Sequence, residues 1–366
     1  MTALVVGALL PSALVACAIA YLVRCKAAAW GLVDQPGHRK VHEAPTPLGG
    51  GLAIYLGLVL PLAAGQLVLW LVAGGQISPS ALPAIAQSHV PGLVEQSPKL
   101  WTILAAGTLL MVLGLLDDRR GLGWKLRLSV QTLVAIAMVA LGYRLTAFVD
   151  LPALTGVLSV LWIVGLINSF NMLDNMDGLS AGVAAIGAGI LAAVMLVAPG
   201  QPQLFVAGLL LTLVGALLGF LWHNHTPAKI FMGDAGSYFV GFLIAITTLM
   251  ATFAGDDLPR HAILAPLCVL AIPIYDTLSV LTIRMSQGRS PFEGDKSHFS
   301  HRLVELGLSK KHAVWTIYLA TATCGLGAFL LHQVNTVGAV IVLTLVVCVL
   351  LIIAILETAG RNARRV

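Results

Sequence analysis

Charge is what this sequence has least of. Only 10% of its 366 residues are Asp, Glu, Lys or Arg, against about a quarter in soluble domains, and that scarcity excludes a water-soluble globule. Cysteine is sparse and scattered: Cys17, Cys25, Cys268, Cys324 and Cys348 form no CxxC and no Cys/His cluster. A disulfide framework and a Cys/His zinc site are therefore not indicated. The apolar runs lack the alternation of a strand, which argues against a membrane barrel. A compelling internal repeat is also missing, and this weakens any transporter built from duplicated halves.

What is there in quantity is hydrocarbon. Hydrophobic residues make up 58% of the chain and the mean hydropathy is +0.93. Apolar runs fall at about 3–23, 50–72, 100–116, 127–143, 152–170, 180–198, 204–222, 237–254, 261–281, 312–331 and 336–356. A bilayer core takes about 20 helical residues to cross. The expectation is an all-α, polytopic integral membrane protein, a bundle of about eleven transmembrane helices forming one catalytic domain over 1–366. "LVAC" at Leu14–Cys17 resembles a lipoprotein cleavage box, but no basic region precedes it and apolar sequence continues to Val23. It reads as a retained first helix.

Basic residues orient the helices. One set of alternate loops and the C-terminal tail carry Arg24, Lys26, Arg39, Lys40, Arg119, Arg120, Lys125, Arg127, Lys229, Arg284, Arg289, Lys296, Arg302, Lys310, Lys311, Arg361, Arg364 and Arg365. The other side keeps Lys99, Arg144 and Arg260. By the positive-inside rule the N-terminus faces outward and the C-terminus the cytoplasm. The net charge of +5 is then topogenic, with anionic headgroups as its partners, and needs no nucleic acid. The outward stretch from Ala73 to Lys99 reads as a loop.

The acids concentrate on the basic side. Asp117 and Asp118 end the third run in "GLLDDRRGLGWKLRL"; Asn171, Asp174 and Asp177 follow the fifth in "FNMLDNMDGLSAG". Asp234 stands in "HNHTPAKIFMGDAGS", and His298 and His301 in "GRSPFEGDKSHFSHRL" with Arg289, Lys296 and Arg302. Outward acids Glu95, Asp150, Asp256 and Asp257 have no such company. Each motif has a bland reading. Paired acids at a helix end can be interfacial, and Asp234 or Ser237 can be an N-cap. On a helix the i, i+3, i+6 spacing of Asn171, Asp174 and Asp177 spreads them over one side. Taken together, acids suit Mg²⁺, and His and Arg suit a diphosphate. Asp276 lies inside the ninth run, and an intramembrane acid is a functional candidate by default; it is kept as secondary.

These motifs, in this order from about 34 to 308 and including "TPLGGG", resemble the polyprenyl-phosphate N-acetylhexosamine-1-phosphate transferases. The resemblance implies ten or eleven membrane helices around a cytoplasm-facing groove. It implies catalytic roles for Asp117, Asp118, His298 and His301, with Mg²⁺ (Mn²⁺ as a substitute) at Asp234 and Asp118. Substrate contacts would come from Asn171, Asp174, Asp177, Asn224, Phe231, Arg289 and Arg302, Phe231 stacking on uracil. The partners implied are a UDP-amino sugar, with UDP-GlcNAc as donor, and undecaprenyl or another polyprenyl phosphate at a bacterial inner membrane; a homo-oligomer is compatible with this. The family's His-x-His-His pattern is broken here, because Ser300 takes the middle histidine's place. Two alternatives stand beside this reading: transfer of phospho-MurNAc-pentapeptide, and an ion-coupled transporter, which would need acids through the depth of the bilayer.

Overall fold

Helices dominate because, away from water, a helix pairs its backbone groups within its own segment. The structure, a computed structural model, describes residues 2–35, 45–82, 87, 89–145, 151–197, 202–253, 258–292, 295 and 297–363. Arg39, Lys40, Asp150, Asp256, Asp257, Lys296, Arg364 and Arg365 lie outside the described residues. In chain order the helices are α1 (Thr2–Lys26), α2 (Gly50–Ala73), α3 (Val90–Glu95), α4 (Ser97–Arg120), α5 (Trp124–Ala140), α6 (Pro152–Leu173) and α7 (Leu179–Val197). They continue with α8 (Leu204–Asn224), α9 (Gly233–Met250), α10 (Ala265–Val269), α11 (Ala271–Ser286), α12 (Phe299–Glu305), α13 (Lys310–Leu331) and α14 (Thr336–Ala363).

Among the described residues nine helices are long and apolar enough to cross a membrane, or ten if the bent pair α10–α11 counts as one span. Eleven continuous runs were expected, and two differ. The run at 127–143 folds as α5, only 17 residues long, about 25 Å at 1.5 Å per residue. The run at 261–281 is broken near Leu270, where Arg260–Val269 and Ala271–Ser286 are bent by 66°. Pro273 lies one turn past the break and supplies no N–H for the Val269 carbonyl. The stretch from Ala73 to Lys99 is not wholly a loop, since it holds a 3₁₀ turn at Pro79–Ala81, the short α3 and the start of α4.

The core sits where α7, α8 and α9 are most deeply buried, while α1, α2 and α14 expose most of their apolar surface. Close packing at the site end depends on glycine. A Cβ on Gly51 would stand 2.1 Å from the Gly236 nitrogen, and one on Gly114 would stand 2.4 Å from the Asp234 carbonyl. These contacts seat α2 and α4 directly against the backbone of α9. Two short strands, β1 (Val33–Asp34) and β2 (Thr46–Pro47), pair antiparallel with Asp34 opposite Thr46. The segment after β2 is stitched to the Phe231–Met232 backbone: Phe231 N–H donates to Pro47 O (2.8 Å), Gly50 N–H to Phe231 O (2.9 Å) and Gly51 N–H to Met232 O (2.9 Å). "TPLGGG" thus holds the "FMGD" segment in place through main-chain bonds.

Candidate active site

Adjacent residues on a helix point about 100° apart, so the two acids ending α4 cannot share one environment. Asp117 turns inward. It is buried and accepts from Arg127 Nη1 (2.8 Å), the Tyr238 hydroxyl (3.0 Å) and Leu122 N–H (2.7 Å). Asp118 turns to the first turn of α9, where it accepts from the main-chain N–H groups of Asp234 (2.7 Å) and Ala235 (3.2 Å). The first N–H groups of a helix have no partner within it, and here a carboxylate from another helix supplies one. Neither Asp234 nor Ser237 caps α9, as the bland reading had it; Asp234 lies within its first turn.

That first turn carries the next contacts. Asp234 Oδ1 accepts from Asn171 Nδ2 at 2.5 Å, and the same amide donates to Ser237 Oγ at 3.0 Å. Arg127 Nη1 lies 3.7 Å from Asp234 Oδ2, so one guanidinium spans Asp117 and Asp234. The helical spacing of Asn171, Asp174 and Asp177 does not hold. α6 ends at Leu173 with Asp174 as its C-cap (φ −80°, ψ 57°), and Asp177 lies in the turn that follows. The turn still gathers all three on one cavity. Burial first, then the neighbouring Asp118 charge, push the Asp174 carboxyl up to about 7, against the Gly233 N–H, while Asp177 adds to the rise. Asp177 Oδ2 accepts from Ala228 N–H (3.0 Å). Asn224 bridges the same two loops, accepting from Gly178 N–H (3.0 Å) and donating to Ile230 O (2.8 Å). Both polar groups of Asn224 are thereby engaged by main chain.

The histidine segment closes the other side. His298 Nδ1 lies 2.9 Å from Asp276 Oδ2, and Phe299 N–H donates to Asp276 Oδ1 at 2.6 Å. Ser300 donates to Asn175 Oδ1. Asp295 accepts from Arg284 and Ser297 and pairs with Arg289 at 2.8 Å. Although burial opposes it, the Arg284 and Ser297 hydrogen bonds hold the Asp295 carboxyl down at about 2.

These parts surround a cavity of about 450 Å³, within the usual range for small-molecule sites. Asp118, Asn171, Asp174, Asp177, Asn224, Phe231, Asp234, His298 and His301 all line it. Four expected site residues do not. Asp117 is turned away to Arg127, and Asp276 is buried behind His298. Arg289 is taken by Asp295. Arg302 is buried against Glu357 (3.0 Å), the Ser279 hydroxyl (2.8 Å) and the Ser297 carbonyl, so it holds the protein together where a substrate contact was expected.

The sequence reading passed over several residues at the site. Arg127 reads in the sequence as one more topogenic cation, although its place just after "DDRRGLG" is a usable signal. Tyr238 sits one turn past Asp234, where a buried hydroxyl needs a partner. Asp34, Asn175, Asp295 and Lys310 also line the cavity. Among the described residues no three His, Cys, Asp or Glu side chains are grouped so that together they could hold a metal ion. Mg²⁺ does not need such a group, because it commonly uses one or two carboxylates and fills its shell with water and substrate phosphates. Two carboxylates that line the cavity, Asp118 and Asp234, are joined through the first turn of α9 and fit that requirement.

Comparison with known proteins gives the same direction. Residues 100–252 match the model of glycosyl transferase family 4. The chain is 33% identical over 359 residues to the probable undecaprenyl-phosphate N-acetylglucosaminyl 1-phosphate transferase of Bacillus subtilis, covering 96% of this chain and 91% of the relative. It is 33% identical over 332 residues to the decaprenyl-phosphate N-acetylglucosaminephosphotransferase of Mycolicibacterium smegmatis, covering 84% and 77%. With the Escherichia coli K12 undecaprenyl-phosphate alpha-N-acetylglucosaminyl 1-phosphate transferase it shares 29% identity over 306 residues, 80% of this chain and 74% of that one. With its acidic cavity at the end of an apolar helix bundle and a relative 33% identical over 96% of its length, the chain belongs to glycosyl transferase family 4.

Proposed function

We propose that the protein transfers N-acetylglucosamine 1-phosphate from UDP-GlcNAc to a polyprenyl phosphate at the cytoplasmic face of a bacterial membrane. The phosphate oxygen of the lipid attacks the β-phosphorus of the donor, the bond to the bridging oxygen breaks, and UMP leaves. The product is a polyprenyl diphosphate sugar, the lipid-linked start of an envelope glycan. The observation that carries this reading is one cavity lined by six aspartates and two histidines at the end of a bundle suited to a lipid substrate. The relatives' names supply the sugar and the lipid class.

The protein's own work is positioning and electrostatics. Asp234 and Asp118 would hold Mg²⁺ or Mn²⁺. When bound, that ion neutralises charge on the substrate diphosphate. Arg127, tied to Asp117 and Asp234, keeps a fixed cation beside the acids. Phe231 offers a ring on the side of Asn224 and Asp177, where a uracil would stack. His298 and His301 line the same cavity.

The test uses the purified full chain in detergent or nanodiscs with polyprenyl phosphate, Mg²⁺ and UDP-GlcNAc. UMP should be released, and EDTA should stop it. A folded preparation that turns over no UDP-amino sugar would overturn the reading. Turnover with UDP-MurNAc-pentapeptide in place of UDP-GlcNAc would reassign the donor.

A further inference from the structure

Asp276 is a carboxylate well inside an apolar helix, 1% exposed, and its two oxygens have separate partners. Oδ1 accepts the Phe299 N–H at 2.6 Å, which anchors the start of α12. Oδ2 lies 2.9 Å from His298 Nδ1. An ionised carboxylate can only accept, so Nδ1 is the nitrogen that carries hydrogen in this pair. The imidazole has one other nitrogen, Nε2, on a side chain that lines the cavity.

We propose that Asp276 is a positioning residue for His298: it fixes the Nδ1–H tautomer and the ring plane, so that Nε2 meets the reacting phosphates. With Nδ1–H committed to the carboxylate, Nε2 accepts a hydrogen bond when the ring is neutral and donates one when it is protonated. In the protonated state Asp276 stabilises the charge from behind. A carboxylate behind a functional imidazole sets its tautomer in this way. Two observations separate this from a simple cap. A cap needs one oxygen, and Phe299 uses it; the second oxygen is spent on the histidine. The rest of the histidine segment is held by other partners, Ser300 by Asn175 and Arg302 by Ser279 and Glu357, so Asp276 is not needed to tether the whole helix.

The inference rests on the transfer reaction proposed above for its kinetic arm, and its spectroscopic arm is independent of that reaction. Asp276→Asn can keep its oxygen on Phe299 N–H while turning an NH₂ group toward His298 Nδ1, so it removes chiefly the histidine's partner. The kinetic expectation is that Asp276→Asn and His298→Gln each lower kcat by roughly 10²-fold or more, with KM for the donor changed less than about threefold. The double variant should be no slower than the slower single. Multiplicative losses, or a loss confined to KM, would overturn the proposal, as would an Asp276→Asn protein that melts lower but turns over at the wild-type kcat. The second arm needs no acidic variant. Long-range ¹⁵N–¹H spectra of histidine-labelled protein at alkaline pH, with the His298 signal assigned from its loss in His298→Gln, should show hydrogen on Nδ1. Hydrogen on Nε2 would reject the inference even if the donor sugar proved to be a different one.

Discussion

Asp118 caps a helix to which it does not belong: its carboxylate accepts the N–H groups of Asp234 and Ala235 at 2.7 and 3.2 Å. The residues that end one helix and begin another are thereby fixed to each other, and Asp234 inherits its place from Asp118. Asp234→Asn removes one oxygen of this cluster and should reduce UMP release below detection at ordinary Mg²⁺. Wild-type turnover by that variant would overturn the proposed role of Asp234 in holding a cation.

Gly114 should be as sensitive as the acids, although it has no side chain. A methyl group there would meet main-chain atoms of Asp234 and Ala235 at 2.4 Å, so one of the two helices must move. Gly114→Ala is expected to fold less stably by about 1–3 kcal/mol and to lose most of its kcat, because the Asp118 cap opens. A thermal melt together with initial rates checks it; a variant that matches wild type in both would show that the approach of α4 to α9 is not required.

Arg127 spans Asp117 and Asp234 with a side chain that is 30% exposed. Arg127→Met leaves the buried Asp117 with the Tyr238 hydroxyl and the Leu122 N–H as partners. The expected cost is about 1–3 kcal/mol, together with a marked fall in kcat. Arg127→Lys should recover the charge but not the two-sided reach of the guanidinium, giving intermediate turnover. Rates and melting temperatures of both variants, measured side by side, decide this.

The acidic wall predicts a pH dependence with a definite sign. In the cation-free protein the Asp174 carboxyl is pushed up to about 7, from an unfolded value near 4. Below about 4 it is protonated in both states. Between about 4 and 7 the folded protein holds a proton that the unfolded chain has lost, so stability falls as pH rises through that window. A bound cation displaces the proton, and apparent Mg²⁺ affinity should strengthen by about tenfold from pH 6 to pH 8. Asp174→Asn should flatten both trends. A flat Mg²⁺ titration across that range in the wild type would exclude Asp174 from the effect.

Membrane class, the crowding of the motifs and the order of the helices were legible because they depend on local composition and on charges placed beside apolar runs. What the sequence could not show was which partner each polar group would choose. Asp117 and Asp118 are neighbours in the chain, yet helical geometry sends one to Arg127 and the other to α9. Arg302 stands one residue from His301 and looked like a phosphate ligand, but it points into the protein toward Glu357, 55 positions later. The spacing of Asn171, Asp174 and Asp177 suggested a helix face, whereas the helix ends at Leu173 and a turn brings the three together. For Asp118 and Arg302 the deciding contact comes from a segment distant in sequence, for which local spacing carries no signal.

The pairing of Arg302 with Glu357 has a consequence for how the protein is made. Every motif precedes α14 in the chain, yet the histidine segment leans on Glu357 of that helix. Removing one member of a buried ion pair costs about 3–5 kcal/mol, so a chain stopped after Asn335 would enter the membrane with its acids assembled and its histidines poorly held. Such a chain should bind nucleotide while turning over slowly, and supplying residues 336–366 as a separate insert should restore rate. Insertion of α14 would then be the step that completes the histidine side of the cavity.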